Sequence, residues 1–183
     1  MEVFHTEGEV MTTEFRTGLA AFATAAALAF GGAVAAQDLP VPSGEVVLTV
    51  TGKIGQTNTD AAAQFDMDML QAMDSRSFTT ETIWTDGAQV FEGVGLDTLL
   101  ESLGVSEGTL TATAINDYAV EIPISDAVAD GPIIAYARNG EGMSVRDKGP
   151  LWIVYPYDDN SDYQSEQVYA RSIWQLDRLD VGD

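Results

Sequence analysis

The sequence predicts an α+β fold with strands in the majority, and three observations predict it. Short runs rich in Val, Ile, Thr and aromatic residues recur along the chain, each bounded by Gly, Pro, Asn or Asp. Helical spacing of apolar residues shows only in brief segments. Neither repeats nor low-complexity tracts interrupt a chain of 183 residues that is 45% apolar, a length suited to one core.

Taken in order, Asp38–Gly44 ("DLPVPSG") reads as a leader arm, because its Pro and Gly content suits no regular element. Glu45–Ile54 alternates as a strand, with Val46, Leu48 and Val50 on one face. Phe65, Met69, Leu70 and Met73 have helical spacing, and these methionines read as core filler. Ser77–Trp84 ("SFTTETIW") is expected to be a strand feeding a turn at Asp86-Gly87. Leu96, Leu99, Leu100 and Leu103 mark one face of a helix that stops at Gly104.

Further on, Thr109–Ile115 and Ala119–Ile124 are expected strands about a turn at Asn116, Asp117 and Tyr118. Ser125 is expected to cap a short helix ending before Asp130-Gly131-Pro132. Ile133–Arg138 is a strand, Asn139–Gly142 a turn, Leu151–Tyr155 a strand, and Arg171–Val181 the last strand.

The N-terminal region is expected to lie outside the domain. Residues 1–36 follow the order of a secretory signal: Arg16, an apolar run from Leu19 to Phe30, then small residues through Ala33, Ala35 and Ala36. That run is too short and Ala-rich for the roughly 20 apolar residues of a membrane span. Acids before Met11 suit no such signal, so translation is expected to start at Met11, which removes His5, the only histidine. The expected organisation is therefore a signal over 1–36, an arm over 37–44 and one domain over 45–183.

Composition excludes several classes of function. Four of the 29 acidic residues and one of the eight basic residues precede Gln37, leaving 25 against seven and a net charge of −18. Such a field repels nucleic acid and anionic lipid, so neither is an expected partner. The chain has no cysteine, which removes disulfides and thiolate ligands. Without His5 there is no imidazole for a zinc, copper or non-haem iron site, or for a Ser-His pair. Asp158, Asn160 and Asp162 imitate the start of a calcium loop, but Tyr163 stands where that loop needs Gly and Tyr169 where it needs Glu. That stretch reads as a solvated acidic loop.

Against this background Arg146 and Lys148 stand out, flanking Asp147 just ahead of Trp152, Tyr155 and Tyr157. They either offset nearby acids at a surface turn or serve a ligand. Trp152, inside "LWIVY", reads as core, while Trp84 and Trp174 stay open between packing and ligand contact.

Four blocks carry a family resemblance: "FEGVGLDTLL" (91–100), "NDYAVEIPISDA" (116–127), "IIAYARNGEGMSVRDKGPLWIVYPYD" (133–158) and "QLDRLDV" (175–181). Their order and spacing resemble the sulfite-oxidase-like molybdopterin-binding domain across nearly all of Glu45–Val181, which implies its mostly β fold with a few short helices. Catalytic members ligate molybdenum through a cysteine four residues before a tryptophan; here that position is Thr80, ahead of Trp84. A protonated hydroxyl cannot replace a soft thiolate, so no molybdenum and no catalysis are expected. "TTETIWTDG" (79–87) and "RDKGPLWIVYPYD" (146–158) look most similar to a branch of stand-alone periplasmic pterin-binding proteins that regulate membrane cyclic-di-GMP enzymes or sensor kinases.

The resemblance thus implies a pterin ligand, a periplasmic location and a membrane signalling protein as partner. A pterin needs an aromatic face, an acceptor for its 2-amino and N3–H edge, and donors for O4 and N5. Expected roles are Trp84, Tyr155 or Tyr157 as the face, Asp117 or Asp147 at the donor edge, and Arg146 at O4. Thr80, Asn116, Tyr118, Asn139, Lys148, Arg171 and Trp174 complete the candidate set. Two other readings compete: a molybdopterin-dependent redox subunit without cysteine ligation, and an interaction domain with no small ligand.

Overall fold

Two sheets share one apolar core. The computed structural model describes Met1 and residues 39–183; the expected signal, the start at Met11 and His5 lie outside the described residues. In the first sheet the order is β2 (Ala63–Asp66), β1 (Val46–Gly52), β10 (Leu176–Gly182), β5 (Thr109–Ala114) and β6 (Ala119–Pro123). Only β1 and β10 run parallel there, with Val50 opposite Leu179. The second sheet orders β3 (Ser75–Thr80), β4 (Gln89–Gly95), β7 (Ile133–Arg138) and β8 (Glu141–Gly142), and β9 (Trp152–Val154) also pairs β7. Alternation explains the burial: Leu48 and Val50 of β1 and Leu110, Ala112 and Ala114 of β5 point inward, and the residues between them do not. Strands therefore predominate over three short helices, as the expected α+β fold requires.

Helix α1 (Met67–Ala72) begins two residues later than apolar spacing predicts. Phe65 is a buried strand residue, and Asp66 caps the helix by accepting the Met69 N–H at 2.9 Å. The same carboxylate accepts the Ser43 and Gly44 N–H groups, both at 2.7 Å, and so ties down the arm. These backbone donors hold the Asp66 carboxyl below its ordinary pKa. Helix α2 (Leu96–Ser102) buries Leu96, Leu99 and Leu100 and closes at Gly104, whose φ of +70° favours glycine.

Other boundaries moved for physical reasons. Ser125 caps nothing; it sits inside a single 3-10 turn, Ile124–Asp126. Arg171 is not a strand residue, because Ser165 caps a helix, α3 (Glu166–Arg171), and β10 begins only at Leu176. Strand β4 lay hidden by its glycines: a Cβ on Gly93 would collide with the Ile134 carbonyl oxygen of β7. No described helix is long and apolar enough to cross a membrane.

The stretch 173–176 joins the two sheets before β10 starts. Ile153 donates its N–H to Ile173 O at 2.9 Å, and Leu176 donates to Leu151 O at 3.0 Å. This seam positions the site.

Candidate functional site

The cationic turn is held rigidly against the seam. Ser144 donates its hydroxyl to the Asp147 carboxylate (2.6 Å), while its carbonyl accepts the Asp147 and Gly149 N–H groups. Lys148 adopts φ +76°, and its carbonyl accepts the Gln175 N–H at 3.0 Å. Gln175 Nε2 returns a bond to Val145 O at 2.7 Å. A side chain at Gly149 would strike the Met143 carbonyl, so glycine is needed where the turn folds back. The outcome is a cation over an aromatic: Lys148 Nζ lies 4.8 Å from the Trp174 ring centre and 5.8 Å from that of Trp152.

Trp84 is the hub of an aromatic cluster. Its ring lies edge-to-face with Trp174 (5.7 Å), Trp152 (5.9 Å), Tyr169 (5.9 Å) and Tyr157 (6.5 Å). Trp152 is core, as its "LWIVY" setting predicts, and donates its indole N–H to Ser172 O at 3.2 Å. Two hollows meet at Trp84. One is an aromatic cavity of about 510 Å³, walled by Ile83, Trp84, Tyr118, Tyr169 and Trp174, with Asn116, Glu166 and Gln175 as polar members. The other is a polar cleft of about 320 Å³ holding Arg138, Arg146 and Lys148 with Asp86, Asp147 and Gln89. The cavity falls within the roughly 300–1,000 Å³ of small-molecule sites.

Charge is distributed unevenly between the cleft and the rest of the domain. Lys53 pairs with Asp183, Arg76 with Asp97 (2.8 Å), Arg171 with Asp126 (2.7 Å), and Arg178 with Asp117 (2.6 Å). Arg138, Arg146 and Lys148 form no ion pair among the described residues, and all three line the cleft. With acids so abundant, three unpaired cations in one hollow are a local positive feature in a negative molecule.

The structure brings together Trp84, Asn116, Tyr118 and Trp174 in the cavity, and Trp84 with Arg146, Asp147 and Lys148 in the cleft. It places the six other candidates, Thr80 among them, outside both hollows. Asp117 lines neither hollow, and its carboxylate meets Arg178 at 2.6 Å in an exposed pair. Tyr155 and Tyr157 are buried and offer no ligand face: Tyr155 OH donates to Asp126 at 2.8 Å, and Tyr157 OH is bonded to Ser172 Oγ. Burial pushes both phenols above their ordinary pKa of 10, so they stay neutral. Arg171 shares the Asp126 carboxylate and borders a separate hollow beside β6. Asn139 spends its amide on Val90 N–H and Gln89 Oε1.

Thr80 is fully buried at the end of β3 and lines neither hollow. Its hydroxyl accepts the Asp158 N–H at 3.1 Å and faces the Glu81 carbonyl at 3.4 Å, while Asp158 accepts the Glu81 N–H at 2.8 Å. A hydroxyl so engaged, hard and protonated, does not fit a molybdenum ligand. Among the described residues, no three His, Cys, Asp or Glu side chains gather as a metal site.

Sequence reasoning missed Arg138, Asp86 and Gln89 in the cleft, and Ile83, Glu166, Tyr169 and Gln175 in the cavity. Arg138 carried a usable signal, as one of only seven cations after residue 36 and adjacent to the Asn139 turn. Glu166 and Tyr169 carried none, because helix α3 itself was not foreseen. No curated protein matches the chain. The model of the oxidoreductase molybdopterin binding domain matches residues 48–158, more than half of the sequence, and the chain belongs to that family.

Proposed function

We propose that this protein is a non-catalytic pterin receptor, exported to the periplasm, that relays its ligand state to a membrane signalling protein such as a cyclic-di-GMP enzyme or a sensor kinase. The pterin ring enters the aromatic cavity, and its polar substituent reaches past Trp84 into the cleft. One observation carries the ligand reading: the three cations without ion pairs line a cleft that shares Trp84 with a cavity walled by aromatic rings. Membership of a molybdopterin-binding family supports a pterin-type ligand. The absence of chemistry rests on Thr80, whose position and bonding suit a structural clasp rather than a metal ligand. Export and the signalling partner rest on the signal-like order of residues 1–36 and on the "TTETIWTDG" and "RDKGPLWIVYPYD" resemblance.

The unpaired cations favour one competing reading, a phosphorylated pterin and hence a molybdopterin-dependent redox subunit. One experiment separates the two. Protein expressed in cells with an intact cofactor pathway is denatured, its extract is chromatographed for pterins, and its molybdenum is measured. The receptor reading expects a released pterin with less than roughly a tenth of an equivalent of molybdenum, given the preference of that metal for soft thiolates. Stoichiometric molybdenum, or no pterin at all, overturns it.

A further inference from the structure

We infer that Glu166 is the specificity-determining residue of the aromatic cavity, selecting ligands that carry a 2-amino group beside a ring N–H. This rests on the pterin reading above and deepens it. The cavity is lined by one carboxylate, that of Glu166, which enters from the first turn of α3. The two acids foreseen for this role are elsewhere: Arg178 holds Asp117, and Asp147 lines the cleft.

Glu166 makes no hydrogen bond or ion pair among the described residues, and its side chain is solvent-accessible. Both oxygens are therefore open to a ligand without the breaking of an existing contact. An ionised carboxylate only accepts, and two adjacent N–H donors in one plane match its two oxygens in the manner of a guanidinium. The 2-amino-4-oxo edge of a pterin presents that pair.

The other polar groups of the cavity suit the rest of such a ring. Asn116 Oδ1 accepts the Tyr118 N–H at 3.1 Å, which leaves its Nδ2 as a donor for a ring carbonyl. Gln175 spends Nε2 on Val145 O, so its Oε1 stays an acceptor. Helix α3 is itself anchored from behind, since Arg171 holds Asp126 at 2.7 Å and Val168 packs into the core, so the wall bearing Glu166 and Tyr169 is fixed. A carboxylate in the first turn also interacts favourably with the helix dipole, and that bland role must be told apart from recognition.

Two probes make the distinction: 6-hydroxymethylpterin, with a 2-amino group, and 6-hydroxymethyllumazine, with a 2-oxo group and a proton on N1 in its place. Titration calorimetry on the wild type should give the pterin an affinity about 10- to 100-fold higher, because the lumazine oxygen meets a carboxylate with no proton between them. In Glu166→Gln, pterin affinity should fall about tenfold or more while lumazine affinity holds or rises, and the preference should collapse. A thermal melt of the variant checks that the fold is kept. An unchanged preference in Glu166→Gln overturns the inference and leaves the receptor reading standing. Equal losses for both probes assign Glu166 a structural role and also overturn it. A wild type that binds neither probe overturns the receptor reading and this inference together.

Discussion

Trp84 forms a wall of both hollows, and its edge-to-face neighbours fix the plane that a ligand would meet. Trp84→Ala should therefore weaken pterin binding by ~1–3 kcal/mol, on the scale of losing an aromatic stacking surface. Tyr155→Phe serves as the contrast, because its hydroxyl faces Asp126 in the core and not the cavity. That variant should lose about 1 kcal/mol of stability in a denaturant titration and bind pterin as the wild type does. The difference between the two residues was only half legible. Both are aromatic and near a turn or strand end, and sequence ranked both as ring faces; what separates them is a hydrogen bond to a residue 29 positions away. Long-range partners leave no trace in local spacing. Arg146 and Lys148 were legible for a different reason, since few cations compete for attention in a chain this acidic.

Elements with their own local logic were read well, and those made by tertiary contact were not. Strands β5 and β6 about the Asn116–Tyr118 turn, β7, and helix α2 up to Gly104 all follow from alternation or leucine spacing. Helix α1 was misplaced because Phe65 fits the helical period but belongs to β2, and the capping carboxylate of Asp66 decides between them. The same carboxylate gives the element a pH signature. Its folded pKa is depressed below the ordinary 3.8, so its contribution is fully present above about pH 4 and is lost as pH falls through the lowered folded value. Asp66→Asn, which keeps one acceptor oxygen for three N–H donors, should melt earlier than wild type at pH 7. The gap should narrow as the pH is taken below 4 in thermal melts; a gap independent of pH would assign the loss to packing alone.

At the scale of the whole molecule, the net charge of −18 after residue 36 sets how a ligand arrives. Long-range attraction of anions is excluded by such a field, so recognition in the cleft must act through short, directed bonds. Affinity for a neutral pterin should then vary little between about 50 and 300 mM salt, because screening acts mainly on exposed, separated charges. A phosphorylated pterin titrated in the same way would lose affinity steeply with salt if Arg138, Arg146 and Lys148 grip its anionic tail.

The aromatic cluster has one more consequence, and it is optical. All three tryptophans of the chain sit within 6.3 Å of one another, centre to centre, at the seam between the sheets. At such separations indole transition dipoles couple, and excitation passes among the rings instead of staying on one. The molecule thus carries its indoles at a single address, so its tryptophan emission reports the state of the Trp84 site rather than an average over the fold. An unfolding curve followed by tryptophan emission dates the opening of that seam, and a ligand that quenches one ring dims all three.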